Sequence, residues 1–320
     1  MIRKVFMNGN FVPEYEAKLS IYDSALMFGD MVFEMTRSFN GVQFKLEEHI
    51  ERLFNGLKIL EIEIPYDKNS LLEICRETQE INKDSFASDD EHRLMIDVSR
   101  GTLGIYRQIE NIWHKPNVIV ADFPLRWTVS GMGKLFDTGI NAVITSQRAI
   151  GSDLLDPKIK NRSRIHYLKA NIEASKINGD NNWALLLDSY GNVTEGTGDN
   201  FFIVKKGKII TPTGRNILRG ISRQYIMEEL AEEIGFPILE KDFDLYDVYT
   251  ADESFMTGTP FCMLPVTSIN SIPIGNGKRG PIFSKLLSKW SQNVGVDIEG
   301  QIKKWNTLKN DGPTPYQFRK

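Results

Sequence analysis

The 320-residue sequence lacks most of the features that announce a protein class. It holds only two cysteines, Cys75 and Cys262, which form no C-x-x-C pattern. That spacing excludes a disulfide scaffold or a thiolate metal cluster and fits a reducing compartment. The four histidines, His49, His92, His114 and His166, show no ligand spacing, so no metal site is expected. Apolar runs such as "NVIVADF" and "ALLLD" are far too short to cross a bilayer. The opening "MIRKVFMNGNFVPEYEAKLS" interrupts every apolar stretch with charged or polar residues, so no secretion signal is expected. A formal net charge of -3, with both signs interspersed, gives no footing for nucleic acid or for an anionic membrane. Walker A, H-E-x-x-H and G-x-S-x-G sequences are missing as well. A cytoplasmic protein is the expectation.

What is present reads as alternating strands and helices. Short strands "VFMNGNFV" and "GVQFKL" flank a segment in which Val32, Phe33 and Met35 suit a strand. Ile50, Leu53, Leu57 and Leu60 then recur at helical spacing, and a second helix is expected from Lys68 to Lys83. Strands "RLMIDVSRG" and "NVIVADF" complete an α+β domain over 1–123. "PLRWTVSGMGK", over 124–134, carries a proline and two glycines and is expected as a linker. A second domain over 135–320 has hairpin turns at "SYGN" and "KKGK" and a helix ending at Gly235. A further helix runs from Pro281 to Val294, and a polar C-terminal extension follows.

Five stretches invite a chemical reading. "GNGKRG", over 275–280, matches the dinucleotide-binding G-x-G-x-x-G, but no hydrophobic strand precedes it and few residues follow. A turn feeding a helix with Pro281 in its first turn explains it better. "DPKIKNRSRIHYLKANIEASK", over 156–176, contains four lysines. Lys169 and Lys176 fall on the outer face of a helix expected from Ser163 to Asn178-Gly179. Lys158 and Lys160 precede it in an extended approach, on the same side, with Ile159 on the other; that geometry does not separate them. In "NVTEGTGDNFFIV", Glu195 stands among small residues that let another object approach the backbone, or it is a hairpin-turn carboxylate. "NILRGISRQYIMEEL" starts a helix after Gly220, where the N–H groups of Ile221 and Ser222 can cradle a phosphate or simply begin a helix. "FMTGTPFCMLPV" places Thr257, Gly258 and Thr259 in a hydroxyl-rich turn.

In order along the chain, "P-x-I-K" at 157–160, "T-E-G-T" at 194–197, "L-R-G-I-S-R" at 218–223 and "T-G-T-P" at 257–260 resemble the fold-type IV pyridoxal-phosphate enzymes, the branched-chain and D-amino acid aminotransferase family. "FGDMVFEMTR" and "EEHIERL" extend the likeness upstream, so it covers nearly the whole chain to Val294. The resemblance implies an α+β, two-domain D-amino acid aminotransferase-like fold, with a small α/β domain and a larger pseudobarrel domain. It also implies a homodimer that binds pyridoxal 5'-phosphate, an amino donor and a 2-oxo acid acceptor. It singles out Lys160 as the lysine that carries the cofactor and moves the substrate proton. Those jobs need an amine whose pKa is lowered, because an ammonium is neither nucleophile nor base. By the same likeness Glu195 faces the pyridine nitrogen and keeps it protonated. Arg52, Ile221, Ser222 and Thr259, with Gly258 beside them, anchor the phosphate. Tyr167 is a candidate for the ring hydroxyl, although the family tyrosine falls at a different offset and Ile165 or His166 can occupy its place.

Departures from the family pattern bear on the substrate. Pro260 has no N–H where branched-chain enzymes grip the substrate carboxylate through backbone groups. "Phe33-Glu34-Met35-Thr36-Arg37" carries a bulky Met where those enzymes have Gly. "SRGTLGIYR" lacks the histidine of D-amino acid enzymes, and the threonine-rich run of aminodeoxychorismate lyases is absent. Arg37 and Arg93 are candidate carboxylate partners, and Phe33, Trp127 and Pro260 are candidate pocket walls. The reaction expected is transamination, including of branched-chain amino acids. The alternatives are a lyase of the same fold, a D-amino acid or amine aminotransferase, and a non-catalytic binding shell that intact Lys160 and Glu195 argue against.

Overall fold

The computed structural model describes residues 2–179 and 181–305. The chain separates into two compact units, one holding the residues up to Leu125 together with Ile159–Arg164, the other Arg126–Lys158 with the described residues from Ile165 onward. Residues 306–320 of the expected C-terminal extension lie outside the described residues.

In the first unit, strands β1 (Lys4–Met7), β2 (Asn10–Pro13) and β3 (Met31–Met35) are followed by the two-stranded hairpin β4 (Ser38–Phe39) and β5 (Val42–Gln43). Helix α1 (Ser24–Phe28) precedes β3; helices α2 (Leu46–Ile59) and α3 (Lys68–Asn82) lead to β6 (His92–Ser99) and β7 (Asn117–Pro124). The sheet is antiparallel in the order β2-β1-β7-β6-β3. Alternation sends Leu94, Ile96 and Val98 of β6, with Val118 and Val120 of β7, to one face. There they pack on Ile50, Leu53 and Leu57 of α2 and Leu71 and Cys75 of α3. Each of these large side chains contributes about 1.5–3 kcal/mol on burial. Asp67 starts α3 by accepting the Ser70 N–H at 2.7 Å.

β3 is the edge strand, and Ile159–Arg164 pairs with it. The Phe33 N–H donates to the Lys160 carbonyl at 2.9 Å, and the Arg162 N–H donates to the Met31 carbonyl at 3.1 Å. Ile159 turns into the core under α2, where Gly56 leaves room for both Val32 and Ile159. Gly29 ends α1 with φ of 67°, and a Cβ there would strike Ser163, whose hydroxyl donates to the Phe28 carbonyl at 2.8 Å. The expected helix start at Ser163 is therefore two residues early, because Ser163 and Arg164 are spent on this docking.

In the second unit, residues 124–134, expected as a linker, fold into turns of helix, α4 (Arg126–Val129) and a 3-10 turn at Ser130–Met132, that bury Val129 and Met132. Then come α5 (Leu135–Thr138), β8 (Ile140–Arg148), α6 (Ile165–Ala174), β9 (Asn182–Leu187), β10 (Val193–Gly196), β11 (Asn200–Lys205) and β12 (Lys208–Thr211). A helical run over 221–233 passes from α7 (Ile221–Tyr225) through a π turn to α8 (Ala231–Glu233). β13 (Ile238–Glu240), α9 (Leu245–Tyr249), β14 (Glu253–Gly258), β15 (Cys262–Ile269), β16 (Ile272–Pro273), α10 (Pro281–Val294) and α11 (Ile298–Trp305) complete it. Strands β10-β9-β8-β15-β14-β11 form a ring, which closes where Glu195 of β10 pairs with Asn200 of β11. β8 runs parallel to both β9 and β15, which makes this a mixed six-stranded barrel. Ala170 and Ala174 of α6 lie against Val143, Ala184 and Leu186.

The "GNGKRG" stretch is a turn with Gly275 and Gly277 at positive φ. The helix start that a dinucleotide phosphate would need is taken by Glu253, whose carboxylate accepts from Ile282 N–H and Phe283 N–H at 3.0 Å each. A Cβ on Gly280 would collide with that carboxylate. Loss of the cap in Glu253→Ala should lower stability by about 1–2 kcal/mol. An unchanged urea midpoint would contradict this role of Glu253.

Candidate active site

The candidate residues divide between the units, and each set has its own geometry. In the first unit, Arg93, Met95 and Asp97 of β6 alternate with the core residues and so occupy the sheet face away from α2 and α3. Register places Phe33 opposite Asp97 and Met35 opposite Met95. Lys160 belongs to the same face, with its Nζ 4.8 Å from the Phe33 ring centroid. Lys158, by contrast, is paired with Asp156 at 2.8 Å in the second unit. The two lysines that the sequence pattern left equivalent therefore differ in unit and surroundings.

Arg52, on α2, is held by a carboxylate that the sequence reading did not single out. Glu34 is fully buried and accepts from Arg52 Nε at 2.6 Å, from Arg52 Nη2 at 2.8 Å, and from His49 Nδ1 at 2.7 Å. Burial by itself would raise the Glu34 carboxyl, but the Arg52 guanidinium and His49 hold it well below the usual carboxylate range. Burial lowers the pKa of His49 against the pull of Glu34, and Arg52 and Lys160 add to the lowering. Neutral His49 thus donates from Nδ1, and its buried Nε2 has no hydrogen-bond partner among the described residues.

Arg37 is only 1% exposed; it stacks over Phe39 at 3.8 Å and its Nε donates to the Ser38 carbonyl at 3.2 Å. Arg37 leads into the β4–β5 hairpin, and its carbonyl accepts from Phe44 N–H at 2.9 Å. Arg93 reaches Met35 Sδ at 3.5 Å and lies over Phe123 at 5.6 Å.

In the second unit, Glu195 sits on β10 beside a bulge and is 5% exposed. Its Oε1 accepts from the Tyr167 hydroxyl at 2.8 Å. Its Oε2 accepts from Leu218 N–H at 3.0 Å and Asn200 Nδ2 at 3.1 Å. Three donors converge on this one carboxylate. Tyr167, expected at a cofactor hydroxyl, is thus in contact with the acid. Asn200 also donates to the Leu218 carbonyl at 2.9 Å, and its side chain lies so close to Gly220 that a Cβ there would collide with it. The acid and the loop that opens α7 are therefore braced by one asparagine, which the sequence reading missed although it follows "T-E-G-T" by three residues.

At α7, Gly220 makes no side-chain cap, so the first-turn N–H groups of Ile221 and Ser222 are left without one. Thr257, on β14, buries a hydroxyl with no hydrogen-bond partner among the described residues. Gly258 is packed against Phe261 and the Gly198 carbonyl, and Thr259 and Pro260 form the partly exposed turn between β14 and β15. Trp127 lies on α4 and is 53% exposed. Within the second unit, uncapped N–H groups, an orphaned hydroxyl and a buried, multiply bonded carboxylate are donors and acceptors of the kind a phosphorylated pyridine aldehyde uses.

A small α+β unit followed by a mixed six-stranded barrel is the fold-type IV architecture of pyridoxal-phosphate enzymes. The sequence pattern of Amino-transferase class IV matches residues 31–269, and the chain belongs to that family. It is an enzyme, a transferase that uses pyridoxal 5'-phosphate to move amino groups between amino acids and 2-oxo acids. It is 38% identical over 288 residues to a putative branched-chain-amino-acid aminotransferase of Methanocaldococcus jannaschii, with 90% of this chain and 95% of that one covered. It is 29% identical over 294 residues to a D-alanine aminotransferase of Listeria monocytogenes, covering 91% and 96%. Its fold matches the Escherichia coli branched-chain amino acid aminotransferase with a TM-score of 0.81 at 26% identity, over 99% and 100% of the chains. No helix among the described residues is long and apolar enough to cross a membrane.

Buried His49 and Glu34 make stability depend on pH. Unfolded, they titrate near 6.5 and 4.5; folded, both lie lower. The unfolded chain therefore binds more protons as pH falls. Their contribution is complete above 6.5 and is lost first through His49, then below 4.5 through Glu34. The urea midpoint should drop between neutral pH and about pH 5.5, and His49→Gln should flatten that drop. Equal drops in the two proteins would contradict the assignment.

Proposed function

We propose that this enzyme transaminates branched-chain amino acids with a 2-oxo acid acceptor, working as a homodimer in the cytoplasm. The observation that carries the residue assignment is the buried Glu195 carboxylate with its three donors. A carboxylate so placed would face the cofactor's ring nitrogen and hold a proton on it. When bound, pyridoxal phosphate supplies an electron sink for the pair left on the substrate α-carbon. Lys160 would hold the cofactor through its Nζ, and its amine would move the substrate α-proton. Arg162 and Arg164 lie over the same Phe33 ring as Lys160. Ile221 and Ser222 offer backbone N–H groups to the phosphate, and Thr257 and Thr259 offer hydroxyls. Arg52, oriented by Glu34, adds a fixed guanidinium. Phe33, Met35 and Met95 give the sheet face the apolar character that an aliphatic side chain requires. Relatives named for branched-chain substrates support the same donor class.

The dimer reading rests on apolar surface in the first unit. The Tyr22 and Tyr106 rings lie 5.1 Å apart, which brings the segment of Ile21, Leu26 and Phe28 beside that of Ile105. All four of these side chains are more than three-fifths exposed, a patch that a second copy would cover. Buried Cys75 and Cys262, in no disulfide among the described residues, fit a reducing cytoplasm.

With 2-oxoglutarate as acceptor, kcat/KM for leucine, isoleucine and valine should exceed that for D-alanine by about tenfold or more, the discrimination a shaped apolar pocket provides. Preference for D-alanine or for a simple amine would overturn the substrate assignment. Tyr167→Phe should lower kcat about three- to tenfold while the protein keeps its cofactor, since one neutral hydrogen bond is lost. An unchanged kcat would remove Tyr167 from the Glu195 network's function. Phe28→Asp should yield monomers in sedimentation velocity; persistent dimers would place the interface elsewhere.

A further inference from the structure

Arg162 lies two residues after Lys160 on the same strand stub, so both side chains belong to the same sheet face. Its guanidinium carbon is 3.7 Å from the Phe33 centroid, against 4.8 Å for Lys160 Nζ and 5.6 Å for the Arg164 guanidinium carbon. Phe33 faces Asp97 in register, and Arg162 spans both. Arg162 Nε and Nη2 both donate to Asp97 Oδ1, at 3.0 and 2.7 Å. One oxygen thus takes the side-on edge of the guanidinium, and the ring fixes its plane. The end-on edge, Nη1 with the second Nη2 hydrogen, has no hydrogen-bond partner among the described residues, and the side chain is 33% exposed. Three cationic groups lie over Phe33, and the Asp97 carboxylate pairs with one of them, Arg162. Burial pushes that carboxyl above its usual pKa, against the pull of Arg162.

We propose that Arg162, steadied by Asp97 and Phe33, is the anchor for the carboxylate of the amino acid and 2-oxo acid substrates. Its end-on fork matches a carboxylate in a two-bond, planar pairing. Asp97 acts here as a positioning residue, holding the fork toward incoming anions. The inference rests on Lys160 as the cofactor-bearing amine, because Arg162 gains its place from being two residues away.

The test uses holoenzyme and a titration that needs no turnover. Binding of 4-methylvaleric acid and of its neutral amide, 4-methylvaleramide, is measured by calorimetry in wild type, Arg162→Gln and Arg162→Lys. The acid should bind wild type and weaken about tenfold or more in Arg162→Gln, the loss of a charge-assisted pair. Arg162→Lys should recover part of it, since a lysine keeps the charge and loses the fork. Amide binding and the visible cofactor band should be the same in all three. Unchanged acid binding in Arg162→Gln, equal weakening of acid and amide, or no acid binding by wild type would each overturn the proposal. Failure of the donor panel to show any transamination is a separate result, and it would overturn the functional reading instead.

Discussion

The pairing of Ile159–Arg164 with the edge of β3 is the constraint on which the proposed chemistry of this chain depends. Side chains alternate along a strand, so one anchor decides every neighbour. Ile159 is drawn into the core under α2, and Lys160 and Arg162 must then rise on the other face beside Phe33. A slip of one residue would bury the lysine and expose the isoleucine. Gly29 and Ser163 close the register from the far end, because only a residue without a Cβ admits the serine. The segment comes from the middle of the second unit's sequence, yet it is counted within the first.

A second constraint organises the barrel. Its ring closes through one register pair, and that pair is Glu195 with Asn200. The asparagine side chain then binds both the acid and the Leu218 carbonyl. Closing the sheet and setting the carboxylate are thus one structural event, and the loop before α7 is drawn in with them. An acid buried at a seam needs its donors on hand, which is why Tyr167, Asn200 and Leu218 converge there. The first unit shows the same economy around Glu34, where one carboxylate orients Arg52 and fixes the tautomer of His49.

Much of this was legible before any coordinates. Alternation in "RLMIDVSRG" and helical spacing in "LEEHIERLFNGLKILEI" report burial directly, and both elements appear where the periodicity puts them. Turn chemistry was equally readable, as at Lys206-Gly207 between β11 and β12. Contacts between residues far apart in sequence were not. Glu34 looked like one more charge in a strand, since its partners lie a helix away. Nor does sequence show the Phe39 ring over which Arg37 lies. Residues 124–134 read as a linker from their glycines, but Val129 and Met132 had enough apolar surface to fold them. Asp97 and Arg162 gave no signal at all; only strand register brings them together.

The central claim is that one particular amine holds the cofactor. Borohydride reduction of the holoenzyme, followed by peptide mapping, tests it most directly, because reduction makes the link between lysine and cofactor permanent. The account predicts a pyridoxyl group on Lys160 and none on Lys158. A label on Lys158, on another lysine, or on no peptide would contradict it.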